Sequence, residues 1–144
     1  MADLSDDVQQ FLREPHLAVF VTLMKDGTPQ ATPVWVDHDG SHVLINTVEG
    51  HQKERNLRRN GNVALCVVDH GKAGRYLQVR GHVVEITGGE EGLRHINELS
   101  QKYSGRPYPL RNGERRVKVV IEPEHVSYQV GRGRGGAGGR WGRE

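Results

Sequence analysis

Tight turns separate most of the apolar segments of this chain, and this spacing favours an antiparallel sheet. Residues 17–24 are strand-like, and Lys25-Asp26-Gly27-Thr28 then gives the Asp-Gly signal of a hairpin before a second strand over 29–36. His38-Asp39-Gly40-Ser41 is a second turn that leads into a third strand over 42–48. The three strands are therefore predicted to form a meander, without the helix that parallel strands need between them.

Helical patterns occur only at the start of the chain and at two later connections. Ser5 is a good N-cap for a leading helix, a basic helix is predicted over 51–60 with Gly61 as its stop, and a third helix over 90–103. On the third helix one apolar side comprises Leu93, Ile96, Leu99 or Ser100, and Tyr103. The remaining strands are predicted over 62–69, 76–87 and 115–121, the last of which can resume over 125–130.

A doubly wound parallel sheet would alternate strand and helix throughout, and this chain does not. The pattern therefore predicts a mainly β fold, a six-stranded antiparallel barrel with peripheral helices. Gly81 and Pro33 lie within predicted strands and are of the residue types that permit bulges and bends where a sheet curls on itself.

The composition indicates one cytoplasmic domain. The 144 residues fit a single core, and the apolar fraction of 35% is low enough that a second subunit or a ligand is expected to complete the hydrophobic surface. No run approaches the roughly 18 apolar residues of a membrane span, and the acidic start does not resemble a signal peptide. Cys66, the sole cysteine, lies in an apolar run, which predicts a buried thiol.

The positive charge of the chain is local. The net charge is +2, but the tail from Gly131 to Glu144 contains four arginines and one acid, so residues 1–130 carry 16 basic and 17 acidic residues. We therefore predict one domain over 1–130 and a Gly/Arg-rich tail over 131–144. A general nucleic-acid surface is not supported.

The basic helix is the main candidate for a binding site. A strand that turns polar at Asn46 and Thr47 leads directly into Gly50 and a helix that carries Lys53, Arg55, Arg58 and Arg59. A helix start offers free N–H groups and a partial positive charge, to which Lys53 adds a full charge, so the segment can hold a phosphate. The competing interpretation is a solvated basic face, because charge runs are usually exposed.

Four segments of the chain resemble a known family in their order and spacing. They are Lys25-Asp26-Gly27-Thr28-Pro29-Gln30, Thr32-Pro33-Val34-Trp35-Val36, Lys53-Glu54-Arg55-Asn56-Leu57 and Val79-Arg80-Gly81-His82-Val83. The chain is similar to the split β-barrel flavin and deazaflavin proteins related to pyridoxamine-phosphate oxidase, and within them to the branch that uses coenzyme F-420. The similarity extends from about Asp7 to Val130.

This resemblance implies an FMN-binding-like split barrel that forms a homodimer, with two cofactor sites at the subunit interface. The cofactor phosphate would lie near Lys53 and the first helical turn, and Tyr76 would approach from the partner subunit. The implied cofactor-binding residues are Thr32, Pro33, Val34, Asn46, Thr47, His51, Gln52, Lys53, Asn56 and Tyr76.

The function implied is that of an F-420-dependent oxidoreductase that transfers a hydride to an unsaturated small molecule. No catalytic side chain is assigned, because the cofactor carries the chemistry in hydride transfer. Seven of the eight histidines are scattered without a metal motif, and His51 is the one beside the phosphate position, where it can equally cap the helix. The alternatives are an FMN-dependent pyridoxamine-phosphate-oxidase-like enzyme and a non-catalytic flavin or deazaflavin carrier.

The sequence leaves more than one interpretation open for Trp35 and for the C-terminal tail. Trp35 can line a ring site or belong to the core, and the alternation of side chains along its strand sets Thr32 and Val34 against Pro33 and Trp35. The tail can be an inert flexible end, an RNA-contacting Arg-Gly segment, or an arm over the cofactor site.

Overall fold

The computed structural model describes residues 2–131, which form three helices and seven strands. The helices are α1 (Asp6–Arg13), α2 (Gln52–Arg59) and α3 (Gly89–Ser104). The strands are β1 (Leu17–Leu23), β2 (Pro29–Val34), β3 (Val36–His38), β4 (Val43–Val48), β5 (Asn62–Val68), β6 (Arg75–Thr87) and β7 (Arg116–Val130). The tail from Arg132 lies outside the described residues, so the predictions for it stay predictions.

All seven strands form one antiparallel sheet in the order β2-β1-β5-β6-β7-β4-β3. The two edge strands, β2 and β3, are separated in the chain by Trp35 alone. The sheet must therefore curl until its edges meet at Trp35, which leaves a barrel with a seam. The inside of the curl holds the apolar core, in which Phe20, Ile45 and Leu77 are fully buried.

The seventh strand arises because the predicted second strand is two strands. Val34 pairs with Ala18 of β1, whereas Val36 pairs with Ile45 of β4, so the chain crosses from one sheet edge to the other between them. Pro33 itself has no bulge, because its pairing follows an unbroken register, but the chain crosses to the other sheet edge two residues later, at Trp35. The closing strand is continuous over Arg116–Val130 rather than interrupted.

The irregularity predicted at Gly81 is confirmed. The register between β6 and β7 shifts between Arg80 and Gly81. A Cβ on Gly81 would lie 2.1 Å from the carbonyl oxygen of Glu122, so the two backbones approach more closely than any other residue permits. The close approach therefore coincides with a bulge-like irregularity between β6 and β7.

The short α1 packs against β3 and the core of the barrel. The Ser5 hydroxyl accepts a hydrogen bond from the Val8 N–H at 3.3 Å, as its N-cap role predicts. Val8, Phe11 and Leu12 are buried against the core. The helical spacing in the sequence therefore identified the packed face correctly.

Helix α2 ends at Arg59, one residue before the predicted boundary, but Gly61 does not cap it. Its C-cap is Asn60, in an extended conformation, and the Asn60 N–H donates to the Asn56 carbonyl at 2.8 Å. Gly61 instead lies against the backbone of Val83, where a Cβ would be 3.5 Å from the Val83 nitrogen. The glycine is thus placed for strand packing and not for a left-handed helix cap.

Helix α3 extends one residue beyond the prediction at each end, and Gly105 caps it in the left-handed region with φ +75°. Its buried side differs from the expected one: Ile96 and Leu99 are buried, whereas Leu93 is 38% exposed. Gly92 and His95 are buried on the side where Leu93 was expected. Residue 92 must be glycine, because a Cβ there would lie 2.0 Å from the carbonyl oxygen of Arg116. Only glycine lets α3 lie this close to β7.

Cys66 lies on the outer face of β5 and is only half-buried, so the predicted burial of its thiol is partial. Burial raises the pKa of its thiol. No helix in the described part of the chain is long and apolar enough to span a membrane.

Candidate functional site

A cleft of about 830 Å³ opens along the seam of the barrel. It lies where the ends of β2 and β4 meet the start of α2, and α3 and the connection from α3 to β7 form its other walls. Its lining includes Pro33, Val34, Trp35, Asn46, Thr47, Val48, His51, Lys53, Ile96, Leu99, Tyr108, Arg111, Glu114 and Arg116. This is a site assembled from segments that are distant in the sequence.

Lys53 is a half-buried cation in the cleft without a counter-ion. Its ammonium makes no hydrogen bond or ion pair with any of residues 2–131. Burial lowers the pKa of Lys53, and the positive charge of Arg116 lowers it further. Because a partly desolvated cation is stabilised by an opposite charge, this position favours an anionic ligand.

The other three cations of α2 are bonded within the chain. Arg55 donates to the Gly50 carbonyl, and Arg58 donates to Glu54 at 2.6 Å. Arg59 donates to the Leu23 carbonyl at 2.9 Å. The solvated or internally bonded interpretation therefore fits Arg55, Arg58 and Arg59, and Lys53 alone among the four faces the cleft.

Arg116 is the second cation beside Lys53, and the sequence did not identify it. Its side chain is 12% exposed. Its Nε donates to Asn46 Oδ1 at 2.8 Å and its Nη1 to Glu114 Oε2 at 2.7 Å, while its Nη2 makes no hydrogen bond among the described residues. The guanidinium carbon of Arg116 lies over the Tyr108 ring, 5.0 Å from the ring centroid. The Tyr108 hydroxyl donates to Glu114 at 2.8 Å. Arg116 is therefore held in one orientation.

Glu114 stays ionised over the whole physiological pH range. Burial alone would raise its pKa, but hydrogen bonds from the Arg111 N–H, Arg116 and Tyr108 outweigh burial and hold the pKa at about 2. Its charge partly neutralises Arg116, so the net positive charge of this end of the cleft comes mainly from Lys53.

Asn46 lines the cleft, but its amide is used inside the chain. Its Nδ2 donates to the Gly92 carbonyl at 3.0 Å and to His95 Nδ1 at 3.1 Å, and its Oδ1 accepts from Arg116. Asn46 thus joins β4, α3 and β7 behind the site. Its observed contacts orient Arg116, and direct contact with a ligand stays a prediction.

His95 supports Asn46 as a neutral imidazole. Burial lowers its pKa to about 4. Because Nδ1 accepts from Asn46, the proton lies on Nε2, which is the one buried side-chain nitrogen or oxygen of residues 2–131 that lacks a partner.

Thr47 and His51 are the other predicted residues near Lys53 that line the cleft. Thr47 is 4% exposed, and its hydroxyl, which is not among the fully buried unpartnered atoms, makes no hydrogen bond within residues 2–131. His51 is the N-cap residue of α2, but its side chain makes no capping bond. Both side chains are therefore available to a ligand.

Four predicted site residues are not part of the lining: Thr32, Gln52, Asn56 and Tyr76. Asn56 is fully buried and donates to Thr22 Oγ1 at 3.0 Å, while its Oδ1 accepts from Gln52 and Arg59. The bond to Thr22 fixes α2 to β1. Asn56 belongs to the buried face of α2, together with Glu54 and Leu57, whereas Lys53 does not. Its cofactor contact stays a prediction.

Tyr76 and Thr32 lie on other parts of the sheet. Tyr76 pairs with Val68 and Gln129 on the outer face of the sheet, where its approach to a partner subunit's cleft stays a prediction. Thr32 pairs with Phe20, and the next three residues of the chain reach the cleft instead. Pro33, Val34 and Trp35 can all line the cleft because β2 ends at Val34, and the alternation of side chains between the two faces of the sheet ends with it.

Trp35 belongs to the cleft wall and not to the core. Its ring stacks on Tyr103 with centroids 5.2 Å apart and planes 12° from parallel. The Tyr103 hydroxyl donates to the His16 carbonyl at 2.6 Å and accepts from the Val36 N–H at 3.2 Å. Trp35 is therefore a fixed aromatic surface at the seam.

Tyr108, Arg111, Glu114 and Arg116, which the sequence did not identify as site residues, come from one segment. Their role depends on the pairing of Arg116 with Val48, which are far apart in the chain. The run of three arginines at positions 111, 115 and 116 was the one available signal in the sequence.

Comparison with known proteins agrees with this geometry. The family model of pyridoxamine 5′-phosphate oxidase matches residues 4–130. A biliverdin reductase of Mycobacterium tuberculosis (strain CDC 1551 / Oshkosh) that depends on reduced coenzyme F-420 is 30% identical over 125 residues, which cover 85% of this chain and 86% of the relative.

Solved structures show the same fold. An F-420 reductase superimposes with a TM-score of 0.73 at 30% identity, covering 83% of this chain and 94% of its own. A pyridoxamine 5′-phosphate oxidase homologue from Listeria innocua superimposes with a TM-score of 0.65 at 19% identity, covering 85% and 95% of the two chains. The predicted split-barrel fold and family resemblance are confirmed.

Proposed function

Because the chain belongs to the pyridoxamine 5′-phosphate oxidase family of split barrels, we propose that it is an oxidoreductase that uses coenzyme F-420 to reduce an unsaturated small molecule. The observation that carries this proposal is the unpaired ammonium of Lys53 in the cleft at the seam. The two relatives at 30% identity are both named for F-420, which favours the deazaflavin over FMN.

The residues of the cleft fit such a cofactor. Lys53, with the start of α2 and the free Nη2 of Arg116, would bind its phosphate. Thr47 offers a hydroxyl, and Trp35 with Val34 offers an apolar wall for a planar ring. When bound, the reduced deazaflavin supplies a hydride from its ring carbon; the protein orients the ring and excludes water from it.

We also propose that the protein acts as a homodimer. The outer face of β1 and β5 exposes a groove of about 470 Å³ lined by Val19, Val21, Ala64 and Cys66, with polar residues of β6 at its rim. Val19 pairs with Pro33, which lines the cleft, so a second copy seated on this face would adjoin the cofactor site. Val21→Glu is expected to give a monomer by sedimentation and to weaken cofactor binding.

The cofactor proposal is tested by titrating the protein with F-420 and following the cofactor's fluorescence. Lys53→Ala is expected to weaken binding by about 10- to 100-fold, because it removes a charge-assisted hydrogen bond worth about 1.5–3 kcal/mol. Lys25→Ala, which removes an exposed lysine of the β1–β2 turn, is the matched control. Equal affinities of the two variants would contradict the proposal.

An FMN-dependent oxidase is the second candidate, because the matching family model is that of pyridoxamine 5′-phosphate oxidase. The absorption spectrum of a copurified chromophore distinguishes FMN from a deazaflavin. A non-catalytic carrier is the third, and steady turnover of reduced F-420 with enones, quinones or biliverdin would exclude it. Biliverdin belongs in this panel because the Mycobacterium tuberculosis relative is a biliverdin reductase. The cytoplasmic location stays a prediction.

A further inference from the structure

The last turn of α3 holds Trp35 at the seam through Tyr103. The Tyr103 ring stacks on the Trp35 indole, with the planes 12° from parallel. The Tyr103 hydroxyl accepts from the Val36 N–H and donates to the His16 carbonyl, so it joins the residue after Trp35 to the segment that leads into β1. Burial raises the pKa of Tyr103 to about 12, and the hydroxyl therefore keeps the proton that it donates to His16.

Lys102, the neighbouring residue on α3, binds the same backbone. Its ammonium donates to the Val36 carbonyl at 2.6 Å and to the Leu12 carbonyl, and it lies 5.0 Å from the centroid of the Tyr103 ring. Side chains of α3 thus bind both the N–H and the carbonyl of Val36. One helical turn therefore holds the backbone next to Trp35 and also supplies the ring on which the indole stacks.

Tyr103 supports the indole without facing the ligand site itself. Trp35 lines the cleft, whereas Tyr103 does not. Aromatic rings stack favourably at centroid distances of about 4.5–7 Å, so a planar ligand ring in the cleft can continue the stack that Tyr103 and Trp35 begin. A side chain that is already fixed loses little freedom when a ligand binds, which favours binding.

We propose that Tyr103 is a positioning residue, which fixes the Trp35 indole in the orientation on which the planar ring of the cofactor stacks. This inference rests on the proposed function. Tyr103 then acts on the ring of the ligand at the seam, just as Lys53 acts on its phosphate at the start of α2.

The test compares Tyr103→Leu with Tyr128→Leu. Tyr128 is the matched control, because it is also a partly buried tyrosine with a ring contact, to Phe11, and a hydrogen bond, from Arg75, but does not line the cleft or contact Trp35. Each protein is titrated, well below its melting temperature, with F-420 and with the deazaflavin core that lacks phosphate and glutamates, following ligand fluorescence.

Tyr103→Leu is expected to weaken both ligands by the same factor, about three- to tenfold, because they share the ring and an aromatic contact has about this effect. Tyr128→Leu should lower the melting temperature and leave both affinities unchanged. Tyr103→Phe keeps the stacked ring and loses only the hydroxyl, so its affinities should stay within about twofold of those of the unaltered protein.

A double-mutant cycle shows whether Tyr103 acts through the indole. Trp35→Leu alone should weaken the core by at least as much as Tyr103→Leu, and adding Tyr103→Leu to Trp35→Leu should cause no further loss. If Tyr103→Leu does not fold, Trp35→Leu and Tyr103→Phe still decide the question, because an unchanged affinity in the first or a tenfold loss in the second would overturn the inference.

The inference is also wrong, while the proposed function stands, if Tyr103→Leu binds both ligands as tightly as Tyr128→Leu. The same holds if the losses in the double variant multiply, because Tyr103 would then act independently of Trp35. If the unaltered protein does not bind F-420 at all, both the inference and the proposed function are wrong.

Discussion

Two cationic regions of this barrel differ in how their charge is used. Arg75, at the start of β6, donates to Asp69 at 2.9 Å, to Glu14 at 3.2 Å and to the Tyr128 hydroxyl at 3.1 Å, and it lies 4.6 Å from the ring centroid of Phe11. Lys53 is half-buried as well, yet it has none of these partners among the described residues.

The difference separates a structural cation from a binding one. Arg75 joins the end of α1 to the turn between β5 and β6 and to β7, and every contact lies within the chain. Lys53 carries a desolvated charge that the fold leaves without a partner, so it lowers stability slightly until an anion binds. The sequence alone does not show which of the two roles a basic residue has. The presence or absence of a counter-ion in the structure distinguishes them.

The largest effect should come from removing the paired cation. Arg75→Gln is expected to lower the free energy of unfolding by about 3 kcal/mol, because it leaves the partly buried Asp69 and Glu14 without their cation. Affinity for F-420 should change little. Urea denaturation measures the first quantity and fluorescence titration the second; a variant that keeps full stability but loses the cofactor would reverse the assignment of the two regions.

His95, which bonds to the Asn46 side chain that holds Arg116, should make the free energy of unfolding depend on pH. The folded chain keeps His95 neutral to pH about 4, whereas an unfolded histidine protonates near pH 6.5. Between these values the unfolded state binds more protons, so the free energy of unfolding should fall as the pH decreases from 6.5 to 4.5, by about 2–3 kcal/mol.

His95→Gln is the matched variant for this measurement, because it keeps an acceptor for Asn46 but cannot titrate. Its unfolding free energy should depend less on pH over the same window. Equal slopes for both proteins would mean that His95 is not the group that titrates.

A smaller effect is expected at Asn46, which orients Arg116 without being its charge partner. Asn46→Ala removes the acceptor of the Arg116 Nε. F-420 binding should weaken by about fivefold, which corresponds to about 1 kcal/mol for one hydrogen bond. If binding weakened as much as in Lys53→Ala, Asn46 would contact the ligand itself, as the family resemblance implies.

The smallest effect should come from Arg58, an exposed cation of the same helix as Lys53. Its side chain is 54% exposed and pairs with Glu54. Arg58→Ala should lower stability by about 1 kcal/mol or less and leave F-420 affinity unchanged. A loss of affinity comparable to that of Lys53→Ala would show that the whole basic face binds the cofactor.

Local signals in the sequence were sufficient for much of the fold. The Asp26-Gly27 hairpin forms as predicted, because Asp26 accepts from the Thr28 N–H at 3.0 Å and Gly27 takes φ +89°. Lys53 was identified for the same reason: a polar strand end followed by a basic helix start is a local pattern. Such features depend on residues within one or two turns.

The rest depends on closure of the sheet. The break at Trp35 exists because the two sheet edges meet there, and no local signal marks it. Arg116 reaches the site through the register of β7 against β4. The direction of Asn56 depends on how α2 packs on β1.

The most direct test of the account compares F-420 with its deazaflavin core, which lacks the phosphate, on the unaltered protein and on Lys53→Ala. If Lys53 binds the phosphate, the variant should lose about 10- to 100-fold in affinity for F-420 and almost none for the core. An equal loss for both ligands, or no loss for F-420, would contradict the assignment of Lys53 as the counter-ion of the cofactor phosphate.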